Sequence, residues 1–299
     1  CLPGLIPNPE VKPACVSPIT VVRESTGKEV TVPLFFLLES ILKIPLRWAL
    51  GRLSIGAPAF FAFNRTITTT QHGLLGETLM PIDTADIFGS DQVGIHLATV
   101  GNVLLHPLEL PQLVLDILEA TLQLEMHAVS IGGSNLIGAL VAGNSRGMAV
   151  ADIATESDID MLTSFGDVVV MEGGVNTAGN LLLVNEQGAI ASPSIPTDGL
   201  EIMADVMGVQ VAATTIAGQD VVGSLGVTND QGVLLHPDVT PDEVVLIESV
   251  LGVSPMVGTV AFGSPYVGAG VCANNNGAVA GTETTGPELN RLEDALGLI

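Results

Sequence analysis

Two histidines sit in matching surroundings, His106 in VLLHPLELP and His236 in VLLHPDVTP. Paired imidazoles can transfer protons or hold a metal. These two instead occupy the same place in two copies of a repeated unit, and a single active site has no use for equivalent copies three repeats apart. Cys272, in GAGVCANNNG, is the other candidate. A thiol attacks only as the thiolate, which needs a neighbouring base or a positive field. No His lies within 30 residues of it, and no basic residue lies between Arg146 and Arg291. It therefore reads as a buried apolar cysteine. Cys1, Cys15 and Cys272 are odd in number, far apart and free of zinc-type spacing, so neither a disulfide framework nor a metal site is indicated. No GxGxxG or Walker run occurs among the glycines, Arg146 reads as a turn residue and Arg291 as a helix partner of Glu288 or Asp294. These residues point to no catalysis and no cofactor.

The elements that would position these residues recur. Gly94, Gly138, Gly179, Gly223 and Gly268 are spaced 44, 41, 44 and 45 residues apart, each in an apolar stretch read as a strand. In the last four units an Asn follows six residues later and a Gly three further on: Asn144/Gly147, Asn185/Gly188, Asn229/Gly232 and Asn274/Gly277. Asn and Gly tolerate positive φ, which predicts a short hairpin and a second strand. A helix comes next. Thr240-Pro-Asp-Glu243 and Thr285-Gly-Pro-Glu288 read as capping boxes. Apolar residues recur at i, i+3 and i+7 (Leu200, Met203, Met207; Val244, Ile247, Leu251; Leu289, Leu292, Leu296), and Gly208, Gly252 and Gly297 read as helix stops. A further strand such as VQVAATTIAG (209–218) leads into the next unit. Five ββαβ units are expected, over about 86–133, 134–176, 177–219, 220–264 and 265–299. No unit buries its helix face alone, so the expectation is an α+β ring closed around a common core.

Charge divides the chain at the same place. Residues 1–84 hold seven basic residues (Lys12, Arg23, Lys28, Lys43, Arg47, Arg52 and Arg65) against six acids, a net of +1, whereas residues 85–299 hold 26 acids against Arg146 and Arg291, a net of −24. A body so acidic is at ease where salt screens it and is unsuited to binding naked nucleic acid through phosphates. The first part is read as an N-terminal extension, 1–84, with no part in function. Residue 1 is Cys, so the start is not taken as the natural one. Within the extension, VPLFFLLESILKIPLRWALGRL (32–53) places Glu39, Lys43 and Arg47 on one side of a helix interrupted by Pro45. Its charges rule out a membrane span, and an amphipathic helix on a membrane surface is the less favoured alternative to a loosely ordered extension. No signal peptide is legible, so a cytoplasmic protein without a membrane partner is the expectation.

The units are similar to the translation initiation factor 6 family. The resemblance rests on SIGGSNLIGALVAGNSRG (130–147), GNLLLVNEQGAIASP (179–193), VVGSLGVTNDQGVLLHP (221–237) and TTGPELNRLEDALGLI (284–299), the last especially like archaeal members. It covers about residues 85–299. It implies the pentein fold, a five-bladed α/β propeller with pseudo-fivefold symmetry. It also implies a ribosome anti-association factor: a monomer that binds the large ribosomal subunit on its inter-subunit face, blocks premature joining of the small subunit and takes part in late large-subunit maturation. The contact it implies lies beside the sarcin–ricin loop. With so acidic a body, the partner there is expected to be a basic ribosomal protein, with no direct DNA binding. Asn180, in Ala178-Gly179-Asn180, maps onto a position associated with ribosome contact, although an Asn closing a strand reads equally well. Tyr266, the only tyrosine, suits an interface or a core. Asn135 and Asp220 complete the expected contact set. Two other classes stay open. The pentein fold also carries enzymes that modify guanidino groups through a late Cys, here Cys272. An acidic protein-binding module with another partner is the third.

Overall fold

The computed structural model describes residues 81–172 and 176–298, together with the two strands of a separate hairpin. That hairpin, β1 (Ile19–Val22) and β2 (Glu29–Val32), pairs antiparallel with Ile19 opposite Val32. The helix expected over 32–53 and the cysteines at 1 and 15 lie outside the described residues. The chain divides into two compact units, 1–73 and 74–299.

The second unit is built from five small three-stranded sheets. The first blade holds β4 (Ala98–Val100), β5 (Val103–Pro107), α1 (Gln112–Leu122) and β6 (Glu125–Val129). The second holds β7 (Val141–Gly143), β8 (Gly147–Ala151), α2 (Glu156–Leu162) and β9 (Asp167–Met171). The third holds β10 (Leu182–Val184), β11 (Gly188–Ala191), α3 (Thr197–Met207) and β12 (Gln210–Ala213). The fourth holds β13 (Gly226–Thr228), β14 (Gly232–Leu235), α4 (Pro241–Leu251) and β15 (Ser254–Val257). The fifth holds β16 (Val271–Ala273), β17 (Ala278–Gly281) and α5 (Gly286–Ala295). In every blade the first two strands pair antiparallel, as with Val141 opposite Val150. In the first four blades the helix then crosses to a third strand parallel to the second, as with Gly147 opposite Asp167.

The fifth blade takes its third strand from the other end of the chain. β3 (Ile82–Ala85) pairs parallel with β17, Ile82 opposite Ala278 and Ala85 opposite Gly281. The division expected after residue 84 therefore cuts through a strand of the ring. The ring begins at β3, because without it the middle strand β17 would keep one unpaired edge.

Burial explains the residue choice. The middle strands β8, β11, β14 and β17 are buried along their whole length, so they read as unbroken apolar runs. The core lies between blades. One cluster joins Val100, Leu105 and Val129 of the first blade to Leu140, Val150 and Leu162 of the second. Another joins Leu183 and Ile190 of the third to Leu235, Ile247 and Leu251 of the fourth. Both expected capping boxes form, and Gly208, Gly252 and Gly297 follow their helices at φ 60°, 67° and 62°. His106 and His236 are both buried, at the ends of the middle strands of blades one and four. Nδ1 of His106 lies 2.9 Å from the Pro107 carbonyl, whereas Nδ1 of His236 accepts from the Asp238 amide at 3.0 Å. They are one structural position filled twice. Arg291 donates from Nε to the Val257 carbonyl at 2.9 Å, tying α5 to the end of β15, and pairs with neither expected acid.

Two expectations about the glycines and asparagines need correction. The five spaced glycines lie in a single helical turn ahead of each first strand, not in the strand: Val93–Ile95, Ile137–Leu140, Ala178–Leu181, Val222–Leu225 and Val267–Gly270. A methyl group on any of them would run into the previous blade's glycine carbonyl, and on Gly94 into that of Gly268. The turns thus pack backbone to backbone in a closed circle. Nor do the Asn-x-x-Gly turns need positive φ, since none of these residues is left-handed. Asn185 Oδ1 instead accepts from the amides of Gln187 and Gly188, at 3.0 and 2.9 Å. Its Nδ2 donates to the carbonyls of Asn229 and Leu251 in the next blade, at 3.2 and 3.0 Å. Asn229 repeats this with Asn274 and Leu296, at 3.0 and 2.9 Å. Asn274 donates to Leu122 of the first blade at 2.7 Å, again closing the circle. The paired glycines are required by close approach: a side chain on Gly147 would strike the carbonyls of Val206 and Asp167.

Candidate functional site

The ring has two unlike ends. At one, the hairpins between first and second strands meet the helix C-termini in a polar circuit. Ser145 donates from its amide and hydroxyl to Glu186, at 2.7 and 2.6 Å. The Glu186 amide donates to Asp230 at 2.9 Å, and the Asp230 amide donates to Asn275 at 2.9 Å. Arg146 reaches the Met207 and Gly208 carbonyls at the end of α3, so its charge is spent as a helix cap. Every donor in this circuit serves the ring itself.

The opposite end, the glycine face, carries the single helical turns, the loops that leave the second strands and the turns that follow the third strands. Those last turns are left-handed: Phe88-Gly89 (φ 56° and 78°), Gly132-Gly133 (57° and 78°), Ala217-Gly218 (53° and 70°), and Ala261-Phe262-Gly263 (46°, 58° and 98°). Each is bedded on a carboxylate. Asp86 accepts from the Gly89 amide at 2.7 Å, and Asp158 from the Gly132 amide at 2.8 Å. Glu243 accepts from the amides of Ala217 and Gly218 at 3.1 Å each, and from the Thr215 hydroxyl at 2.6 Å. Glu288 accepts from the Phe262 and Gly263 amides at 3.3 and 2.8 Å. The acids of the capping boxes thus do a second job that sequence reasoning missed. Each fixes its own helix start and the last turn of the blade before. Burial alone would raise the Glu243 carboxyl, but its bonds from Thr215, Thr240 and Gly218 outweigh that and hold it at about 2. Glu288 and Asp158 are lowered in the same way.

All four residues expected from the sequence lie on this face, spread one per blade. Asn135 is exposed just ahead of the second blade's helical turn, and its carbonyl meets Nδ1 of His96 at 3.0 Å. Asn180 is half-buried within the third blade's turn, its side-chain oxygen accepting from the Ser224 hydroxyl of the next blade at 3.0 Å. Asp220 is exposed ahead of the fourth turn. Tyr266 is exposed at the start of the fifth. The structure also gathers there what the sequence did not single out. Phe88, Leu108, Leu136, Ile153 and Phe262 are exposed in loops and turns of this face, beside Tyr266. The same face carries Asp86, Asp91, Asp220 and Glu283. Sequence could have flagged Phe88 and Phe262 through the comparison of turns, since only glycines, Gly132 and Gly133, stand between Ile131 and Ser134 in the corresponding turn.

Cys272 lies in β16 against the axial cavity of about 110 Å³, which the five glycines also line. It is 5% exposed, and burial pushes its thiol up to about 12. A thiolate is thus strongly disfavoured. Among the described residues no group of three His, Cys, Asp or Glu could hold a metal, and no helix is long and apolar enough to cross a membrane.

Comparison with known proteins agrees with these boundaries. The sequence profile of the eIF-6 family matches residues 82–295, starting with β3. A translation initiation factor 6 from Methanocella arvoryzae is 42% identical over 214 residues, 72% of this chain and 97% of that protein. One from Natronomonas pharaonis is 43% identical over 217 residues, 72% of this chain and 98% of the relative. One from Halorubrum lacusprofundi is 42% identical over 217 residues, with the same two shares. With the profile spanning the whole ring and the relatives matched almost end to end, the chain belongs to the eIF-6 family.

Proposed function

We propose that this translation factor binds the large ribosomal subunit through its glycine face and so keeps the small subunit from joining. It acts in the cytoplasm as a monomer and serves late large-subunit maturation as well. The partner at the contact is a basic ribosomal protein near the sarcin–ricin loop. The observation that carries this reading is the glycine face itself. It combines exposed aromatic and aliphatic side chains with carboxylates, on a domain whose residues 85–299 hold two cations. Interfaces draw affinity from buried aromatic groups, and complementary charge supplies orientation and encounter rate. Phosphate binding would need the opposite charge. Asn180, Tyr266, Asn135 and Asp220 are the proposed contact residues.

The test is sedimentation of purified large subunits from a matched archaeon at its own ionic strength. The protein should travel with the large subunit and reduce the yield of joined ribosomes. Asn180→Ala should weaken that complex with the ring still folded. If the protein stays at the top of the gradient and joining is unchanged, the proposal fails.

A further inference from the structure

Phe88 and Phe262 hold conformations that work against the fold. Both have left-handed φ, where a bulky side chain crowds the backbone, and the corresponding turn after the first blade's third strand uses Gly132 and Gly133. The fold recovers little in exchange. Phe262 is 81% exposed, and Phe88 is half exposed, its ring and that of His96 meeting edge to face with centroids 5.4 Å apart. Their turns are nevertheless held firmly, by Glu288 at the amides of Phe262 and Gly263 and by Asp86 at the amide of Gly89. These turns flank the fifth blade, which presents Tyr266 between them. Strained, rigid and exposed aromatic rings are suited to a partner, because a fixed ring loses little freedom on binding.

We infer that Phe262 and Phe88 are the aromatic anchors of the docking face, and that they take a protein segment carrying apolar side chains beside Lys or Arg. This rests on the ribosome-binding reading and names the chemistry of its contact. Charge complementarity selects that occupant. Asp86, Asp91, Asp220 and Glu283 lie on the same face, Asp86 accepting from the Gly89 amide beside Phe88 and Asp91 from the Thr282 hydroxyl and the Glu283 amide, while Arg146 lies on the opposite end and Arg291 is tied to the Val257 carbonyl. A second copy would bring the same carboxylates face to face. A phosphate backbone would meet them with like charge.

The experiment compares wild type with Phe262→Gly and Phe88→Gly, measuring melting temperature and affinity for purified large subunits. Glycine accepts the left-handed turn, so the melting temperature should be equal or higher. Affinity should fall at least tenfold for Phe262→Gly and less for Phe88→Gly. Wild type that binds while Phe262→Gly binds equally well overturns the inference and leaves the ribosome reading standing. Wild type that does not bind overturns the ribosome reading itself. A lower melting temperature for Phe262→Gly would mean that the ring supports the fold, which also overturns it. A photoreactive phenylalanine at position 262 then identifies the neighbour. A protease-sensitive adduct with a basic ribosomal protein is expected, and an adduct with ribosomal RNA overturns the choice of partner.

Discussion

The α-carbon of Gly94 packs against the carbonyl oxygen of Gly268, joining the first blade to the fifth across the length of the ring domain. The same contact joins Gly138 to Gly94, Gly179 to Gly138, Gly223 to Gly179 and Gly268 to Gly223. A circle of backbone contacts has no slack. Gly179→Ala should therefore destabilise the domain by about 3 kcal/mol or more, the upper range for forcing a methyl into a packed core. Urea denaturation followed by circular dichroism checks this, and a midpoint equal to wild type would refute it.

Closure also depends on β3. A chain beginning at Leu74 should unfold at the same midpoint as the full chain, because residues 74–299 form their own compact unit. One beginning at Asp86 loses the strand opposite β17 and should be markedly less stable and prone to associate through the bare edge. Thermal melts and light scattering on both chains decide the matter.

The asparagine bridges predict a local loss. Asn274→Ala removes one of two donors to the Leu122 carbonyl, the other being Asn276 Nδ2 at 3.0 Å, and the acceptor for the amides of Asn276 and Gly277, at 3.0 and 2.9 Å. Leaving the amide of the buried Gly277 unpaired costs about 1–3 kcal/mol. Hydrogen exchange should speed up first between blades five and one. Uniform exchange over all five junctions would contradict this.

Acid should act through the turn-bedding carboxylates. Glu243 is held at about 2 in the folded ring against 4.5 in the unfolded chain. A depressed carboxylate stabilises the fold fully above its unfolded value, and that contribution is lost as pH falls from 4.5 towards 2. Melting temperature should drop through this window. In Glu243→Gln the drop should be shallower and the neutral-pH stability lower. An unchanged acid limb in Glu243→Gln would show that other groups govern it.

The thiol of Cys272 should be silent in the folded state. In a chain beginning at Leu74 it is the sole cysteine, 5% exposed and raised to about 12. A disulfide reagent at pH 8 should react only as fast as the ring opens, with urea accelerating it. Fast labelling in native buffer would contradict that burial.

The repeat and its number are legible in the order of residues alone. The spacing of Gly94 to Gly268, the boxes at Thr240 and Thr285 and the heptad-like Val244, Ile247, Leu251 are local signals, written within one unit and readable there. The acidic character of the ring was equally plain. Which pieces meet across units depends on the folded ring. Ile-Asp-Thr-Ala at 82–85 carries too few residues to announce a strand, and its partner Ala278–Gly281 lies at the other end of the domain. By its local pattern Asn185 is a turn former, yet its side chain crosses to Asn229 and Leu251, a contact that exists only once two blades stand side by side. The candidate face followed the same rule. Asn135, Asn180, Asp220 and Tyr266 are far apart in sequence, and each belongs to a different blade. Ring closure is what turns the same edge of every blade in one direction, bringing them onto one face with Phe88 and Phe262. Local chemistry fixes an element from its own residues, whereas a shared surface depends on how distant elements pack.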